Sequence, residues 1–256
     1  MPRVSFRTGA VSPVLNVSGE LGSRVAVIPP SVYAMQMATG SQIALAHAAN
    51  MPVWRAAGFT WSFWIKSAGF AGNRTILAEI DSMGGGTEYF WIHSGLSGSV
   101  HASLATMSGS FSYTIASNVA DGAWHHVVFY CHPLNGVFGG YVDGVKAFED
   151  VQEFQTLDFP FDTTILGETG VAESCELDDV AAFGSVLTQA DVTMLYNLGR
   201  PTRVLAHVKS PDLVGYWRMG DGAVFDSGSW TIPDESPNGN HGTSSGILES
   251  ARVKRT

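Results

Sequence analysis

Acidic side chains, histidines and tryptophans are the residues of this 256-residue sequence whose types and spacing admit chemistry. Glu79 and Asp81 stand two apart, so on a strand they share a face, the placement a pair of carboxylates needs to flank a glycosidic bond. His125 and His126 are adjacent, so on a strand they point to opposite faces and cannot chelate one metal; one is expected to be a packed, hydrogen-bonded histidine. Asp234-x-Ser236-x-Asn238-Gly239 is spaced like the first half of a calcium loop, but position twelve is Ser245 where a bidentate Glu is required. Asp178 and Asp179 end a loop before a strand, and Asp81 and Glu88 flank another. Trp54, Trp91 and Trp230 lie in less strictly patterned stretches than Trp61, Trp64 and Trp124, which makes them the candidates for a glycan-binding surface; burial or an interface is the alternative for all three. No G-x-S-x-G elbow, H-E-x-x-H pair or glycine-rich phosphate loop is present.

The elements that would carry these residues read as strands. Phe59-Thr60-Trp61-Ser62-Phe63-Trp64-Ile65-Lys66 alternates sharply and puts Phe59, Trp61, Phe63 and Ile65 on one face. Runs beginning at Tyr33, Thr75, Tyr89, Val100 and Phe111 are further strands bounded by Gly and Ser clusters. Trp124 to Cys131 is apolar on both faces over most of its length, which fits a central strand covered on both sides. Asp143-Gly144 supplies the positive φ angles of a two-residue type I′ hairpin. One short helix is expected, with Thr188 as N-cap, Asp191 three residues on, and Gly199 and Pro201 as its stop.

Composition narrows the class. Charged residues make up 14% and glycines number 29, a balance that suits short strands joined by tight turns. A net charge of −9 argues against a nucleic-acid surface, which needs a basic footprint. No apolar run is long enough for a membrane span, and no signal peptide follows Met1-Pro2-Arg3, so synthesis in a reducing cytoplasm is expected. Cys131 and Cys175 are accordingly expected as two buried thiols. Basic residues gather at the ends: Arg3, Arg7 and Arg24 in a Gly- and Pro-punctuated arm, and Arg252, Lys254 and Arg255 at the other terminus. They are either ordinary solvated termini or groups that dock on an acidic neighbour.

Phe59 to Lys66, Trp124-His125-His126-Val127, Tyr141-Val142-Asp143-Gly144 and Leu177-Asp178-Asp179-Val180 through Phe183, followed by the Leu187-Thr188 helix, occur in an order that resembles the laminin G-like, concanavalin A-like jelly roll. The resemblance implies an all-β sandwich with one short rim helix, organised as an extended arm (1–32), the jelly roll (33–199) and a C-terminal extension (200–256) that completes the sheet or contacts another subunit. It also implies calcium at the rim, with Asp81, Glu88, Asp178 and Asp179 as candidate ligands. The fold's glucanases carry an E-x-D-x-E run, and here Met83 stands in the last place, so a non-enzyme is expected. Tyr216-Trp217-Arg218-Met219-Gly220-Asp221 and the Asn238-Gly239-Asn240 turn look like the opening of such a domain, yet come last. A tail of this kind is similar to those of tailed-phage structural proteins. That resemblance implies a virion-surface component that packs against itself, as a trimer, and against capsid or tail proteins. Arg3, Arg7, Tyr216, Trp217 and Met219 would form the contact. A lectin-like module for cell-surface glycans is the alternative.

Overall fold

The computed structural model describes residues 31–38, 40–46, 58–70, 72–80, 89–106, 109–151, 161–168 and 174–256. Two antiparallel sheets face each other. The first is built from β1 (Tyr33–Met37), β3 (Phe59–Lys66), β8 (Trp124–His132), β9 (Val137–Val142), β10 (Val145–Val151), β12 (Cys175–Phe183), β13 (Leu213–Trp217) and β17 (Arg252–Lys254). Its order is β10-β9-β8-β3-β12-β1-β17, with β13 also on β12. The second is built from β2 (Ser41–Leu45), β4 (Arg74–Ile80), β5 (Tyr89–Gly95), β6 (Ser99–Thr106), β7 (Gly109–Ala116), β11 (Thr163–Glu168), β14 (Val224–Asp226), β15 (Ser229–Ile232) and β16 (Gly242–Ser245). Its order is β14-β15-β16-β2-β11-β4-β5-β6-β7. The fold is the expected all-β sandwich of concanavalin A-like type with one helix.

Alternation decides what the sandwich encloses. Phe59, Trp61, Phe63 and Ile65 of β3 all enter the core between the sheets, where Phe59 meets Phe90 edge-on at 5.9 Å. The other face of β3 is not solvated as period-2 alternation implies. Thr60 accepts from the Leu187 N–H, the Ser62 hydroxyl pairs with His126 at 2.8 Å, and Trp64 stacks on Tyr196. These residues lie under α1 (Gln189–Tyr196) and the segments that flank it, which seal a second apolar cluster around Tyr130, Phe183, Leu195 and Tyr216. β8 is therefore covered on both sides, as its sequence implies.

The helix forms with the expected capping box: the Asp191 N–H donates to the Thr188 hydroxyl, and the Thr188 N–H donates to the Asp191 carboxylate at 2.9 Å. Its stop is earlier than expected. Asn197, at φ 45°, takes the left-handed cap two residues before Gly199, because its short polar side chain tolerates that region. The β9–β10 hairpin turns at Asp143 (φ 50°) and Gly144 (φ 79°), as type I′ requires. Cys131 and Cys175 are unpaired thiols, and burial pushes each up to about 12.

The tail does not leave the domain. β12 is nine residues long; β1 pairs with its first part (Cys175 to Leu177) and β13 with its second (Val180 to Phe183), on the side away from β3. β17 then pairs with β1, and β16 pairs with β2. The tail thus fills half of an interior strand position and extends both sheets.

Candidate functional site

The outer face of the first sheet holds the acidic pair expected to bind calcium. Asp178 (0% exposed) accepts from Ser31 at 2.9 Å and from Arg255 at 2.6 Å, and Asp179 accepts from the Tyr216 hydroxyl. The Arg255 guanidinium lies 4.0 Å from the Trp124 ring centre and 4.8 Å from that of Trp64. The Ser31 hydroxyl also lies 2.7 Å from Asp221, so its single proton is shared between the two carboxylates; Asp221 accepts as well from the N–H groups of Val32 and Tyr33 and pairs with Arg218. Burial raises Asp179 to about 6 and pushes Asp178 well above the usual carboxylate range, with Asp179 adding to it. Three of the four carboxylate oxygens are engaged, Asp178 Oδ1 by Ser31, Asp178 Oδ2 by Arg255 and Asp179 Oδ1 by Tyr216, while Asp179 Oδ2 is buried without a hydrogen-bond partner; the pair expected as calcium ligands thus faces a guanidinium and two hydroxyls. Among the described residues no group of three His, Cys, Asp or Glu is placed to hold one metal ion. Asp81 and Glu88, the other expected ligands, lie outside the described residues, as do Trp54, Arg3 and Arg7.

The loop read as half a calcium site has another task. The Asp234 carboxylate accepts from the N–H groups of Tyr216, Ser236 and Asn240 and from the Ser236 hydroxyl. Asn238 and Asn240 donate to the Leu213 and Val214 carbonyls. This knot ties the final turn to β13.

Tyr216, Trp217 and Met219, expected at a contact between subunits, are each at most 3% exposed within their own chain. Trp217 stacks on Trp61 at 6.2 Å and donates its indole N–H to the Asn240 carbonyl. The physical reason is that β12 leaves half an edge unpaired, and the tail satisfies it in cis. Trp230 is likewise corrected as a glycan candidate: it is 4% exposed, packed on Phe225, and donates to the Leu248 carbonyl.

Trp91 is placed differently. It sits on β5 facing away from the core, while Phe90 and Ile92 face in. A cross-strand row runs along this outer face from Thr231 and Thr243 through Ala44, Ile165 and Ala78 to Trp91, Ser103 and Ser112. The indole N–H of Trp91 donates to Thr75 at 2.8 Å, and His93 packs on the ring at 4.1 Å. Its direct neighbours across the ladder, Ala78 and Ser103, are small, so the indole stands above them half-buried.

Hydrogen bonds fix the polar groups around it. The Ser94 carbonyl, which can only accept, places the proton of neutral His93 on Nδ1 and leaves Nε2 to accept from Ser103 at 2.9 Å. His101 lies against His93 at 5.3 Å and contacts Ser99 and Thr114; burial lowers its affinity for a proton. The alternation that puts Tyr89, Trp91 and His93 on one side of β5, and Ser99, His101 and Ser103 on one side of β6, is present in the sequence and is the signal that singles out these residues beyond Trp91. Glu79 lies on the opposite, inner face with Phe90 and Thr164 as register partners and is 1% exposed.

Comparison with known proteins gives a family and a fold. The sequence model of the concanavalin A-like lectin/glucanases superfamily matches residues 38–193. No curated protein matches the sequence. Among solved structures, a protein from Bacteroides ovatus described as carbohydrate-binding aligns with a TM-score of 0.59 at 15% identity, over 89% of this chain and 62% of its own. The binding domain of botulinum neurotoxin D/C, solved with SialylT, aligns with a TM-score of 0.52 at 12% identity, over 63% and 41%. The CBM40 domain of the Ruminococcus gnavus IT-sialidase aligns with a TM-score of 0.50 at 12% identity, over 66% of this chain and 100% of its own. The chain therefore spans less than two thirds of the length of the first two.

Proposed function

The chain belongs to the concanavalin A-like lectin/glucanases superfamily, and from that membership we propose that it is a non-catalytic carbohydrate-binding module whose glycan lies on the outer face of the nine-stranded sheet, over Trp91. The observation that carries this reading is the half-buried indole held by Thr75 and His93 among hydroxyls and imidazoles. A pyranose offers one flat face of C–H groups and a rim of hydroxyls; an aromatic face beside fixed donors and acceptors suits both. The described roles of similar folds support the choice of ligand class. Non-catalysis is supported by Glu79, which faces the core and would have to leave it to reach a glycosidic bond.

The test is a glycan microarray followed by titration calorimetry with the best binder. Trp91→Ala is expected to weaken binding by at least about tenfold while the melting temperature holds, as for an aromatic anchor at a binding centre. Undiminished binding by that variant places the glycan elsewhere.

The virion setting is a second proposal. It is supported by the likeness of Tyr216–Asp221 and its turn to phage structural tails, and it would make this face an adhesive surface on a capsid or tail. Mass spectrometry of purified particles tests it; a secreted, particle-free protein removes it.

A further inference from the structure

At one end of the sandwich, where β1 and β12 of one sheet approach β4, β5 and β11 of the other, a cleft of about 40 Å3 opens between Met37, Phe70, Ile76 and Cys175. Arg74, the first residue of β4, lines it. The Arg74 Nε is buried with no hydrogen-bond partner, and Nη1 reaches the Asn73 carbonyl only at 3.4 Å. Among the described residues no carboxylate lies within ion-pair distance of it, whereas Arg218 is met by Asp221 and Glu235, and Arg255 by Asp178. A chain with nine more acidic than basic side chains has thus kept every described carboxylate away from a half-buried guanidinium. Left alone, such a fork of donors costs free energy; an incoming planar anion would satisfy it with paired hydrogen bonds.

Position joins this cleft to the glycan face. Thr75, the next residue, also lines the cleft, and its hydroxyl is the one that holds the Trp91 indole. The volume is room for a few water-sized groups, since one water needs about 10–15 Å3 by the same measure. That is the size of a carboxylate and well short of a pyranose. The ring would remain outside, and only its acidic substituent would enter.

We infer that Arg74 anchors the carboxylate of an acidic sugar, so that the ligand class of the module is glycans carrying a sialic or uronic acid. The inference rests on the glycan face at Trp91. Calorimetry on the full chain tests it with matched probes: 3′-sialyllactose against lactose, and a glucuronate-terminated disaccharide against its glucose-terminated counterpart. At least one acidic member is expected to bind about tenfold more tightly than its neutral partner, a charge-assisted bidentate contact being the difference. Arg74→Gln removes that preference and leaves the neutral affinity in place, while Arg74→Lys keeps part of it. Should Arg74→Gln fail to fold, the salt dependence of the wild-type chain decides. The acidic preference must fade as salt is raised, while neutral binding does not. Equal affinities within both pairs, a preference that survives Arg74→Gln, or one indifferent to salt overturns the role of Arg74 and leaves the glycan face standing. Absence of binding to any glycan, neutral or acidic, overturns both.

Discussion

His126 shows how burial sets the behaviour of single residues here. It is 2% exposed, bonded to Ser62 and packed on Trp64, and burial together with the charge of Arg255 pushes its pKa down to about 3. An unfolded chain takes up the proton near the ordinary histidine value of about 6.5, so between these values the unfolded state binds more protons. Stability from a neutral His126 is complete above that range and falls as the pH drops through it, by up to about 1.4 kcal/mol per pH unit. Asp179 acts with the opposite sign. Burial raises its folded value to about 6, above that of an unfolded carboxylate, so its cost is present above pH 6 and is relieved as the pH falls. The two effects are separable by substitution. His126→Asn is expected to be less stable than wild type at pH 7, with the gap narrowing toward pH 5 in urea titrations. A constant gap would mean that His126 is not held neutral.

Among the elements, the β9–β10 hairpin has the most local determinants. Gly144 combines φ 79° with a close neighbour: a Cβ there would lie 2.9 Å from the ring of Tyr196, the last residue of α1. Gly144→Val is expected to cost ~1–2 kcal/mol from the backbone angle, and more if Tyr196 cannot yield. A denaturation midpoint equal to wild type would contradict the hairpin. β5 and β6 make a contrasting case. Their register is unbroken and their turn takes positive φ at Ser97 (63°) and Gly98 (74°), while their period-2 pattern sorts Phe90, Ile92, Val100 and Leu104 into the core and leaves Trp91, His93, His101 and Ser103 outward. The face proposed to bind follows from the same alternation that makes the core.

At the scale of the whole molecule, the decisive feature is that the last strands complete the sandwich. Val214, Trp217, Met219 and Ile232 belong to the central core, and Gly215 is pressed so closely by the Trp217 ring that a Cβ there would lie 2.1 Å from it. Removing buried side chains of this size forfeits about 1.5–3 kcal/mol each, against a total stability of about 5–15 kcal/mol for a domain. A chain ending at Gly199 is therefore expected to be unfolded by circular dichroism, rather than a folded monomer that has merely lost an assembly contact. A cooperative melt of that shortened chain would show that β13 is dispensable.

The sequence by itself determined the class of fold, the strands with strict alternation, the hairpin at Asp143-Gly144 and the capped helix, because each depends on residues close together in the chain. It also marked Trp91 as a candidate, since a large aromatic outside a strict core pattern is visible locally. It did not determine which faces are covered. Thr60, Ser62 and Trp64 alternate like a solvated face, yet α1 and its flanking segments bury them, and that depends on where a distant helix lands. Nor did it assign the partners of the charges: Asp178 and Asp179, candidate metal ligands in the sequence, meet Arg255 and Tyr216 from 77 and 37 residues away. Only the tertiary structure decided that Trp217 serves the core and Trp91 the surface. Both are tryptophans in aromatic strands, and what separates them is the sheet face on which long-range pairing leaves each one.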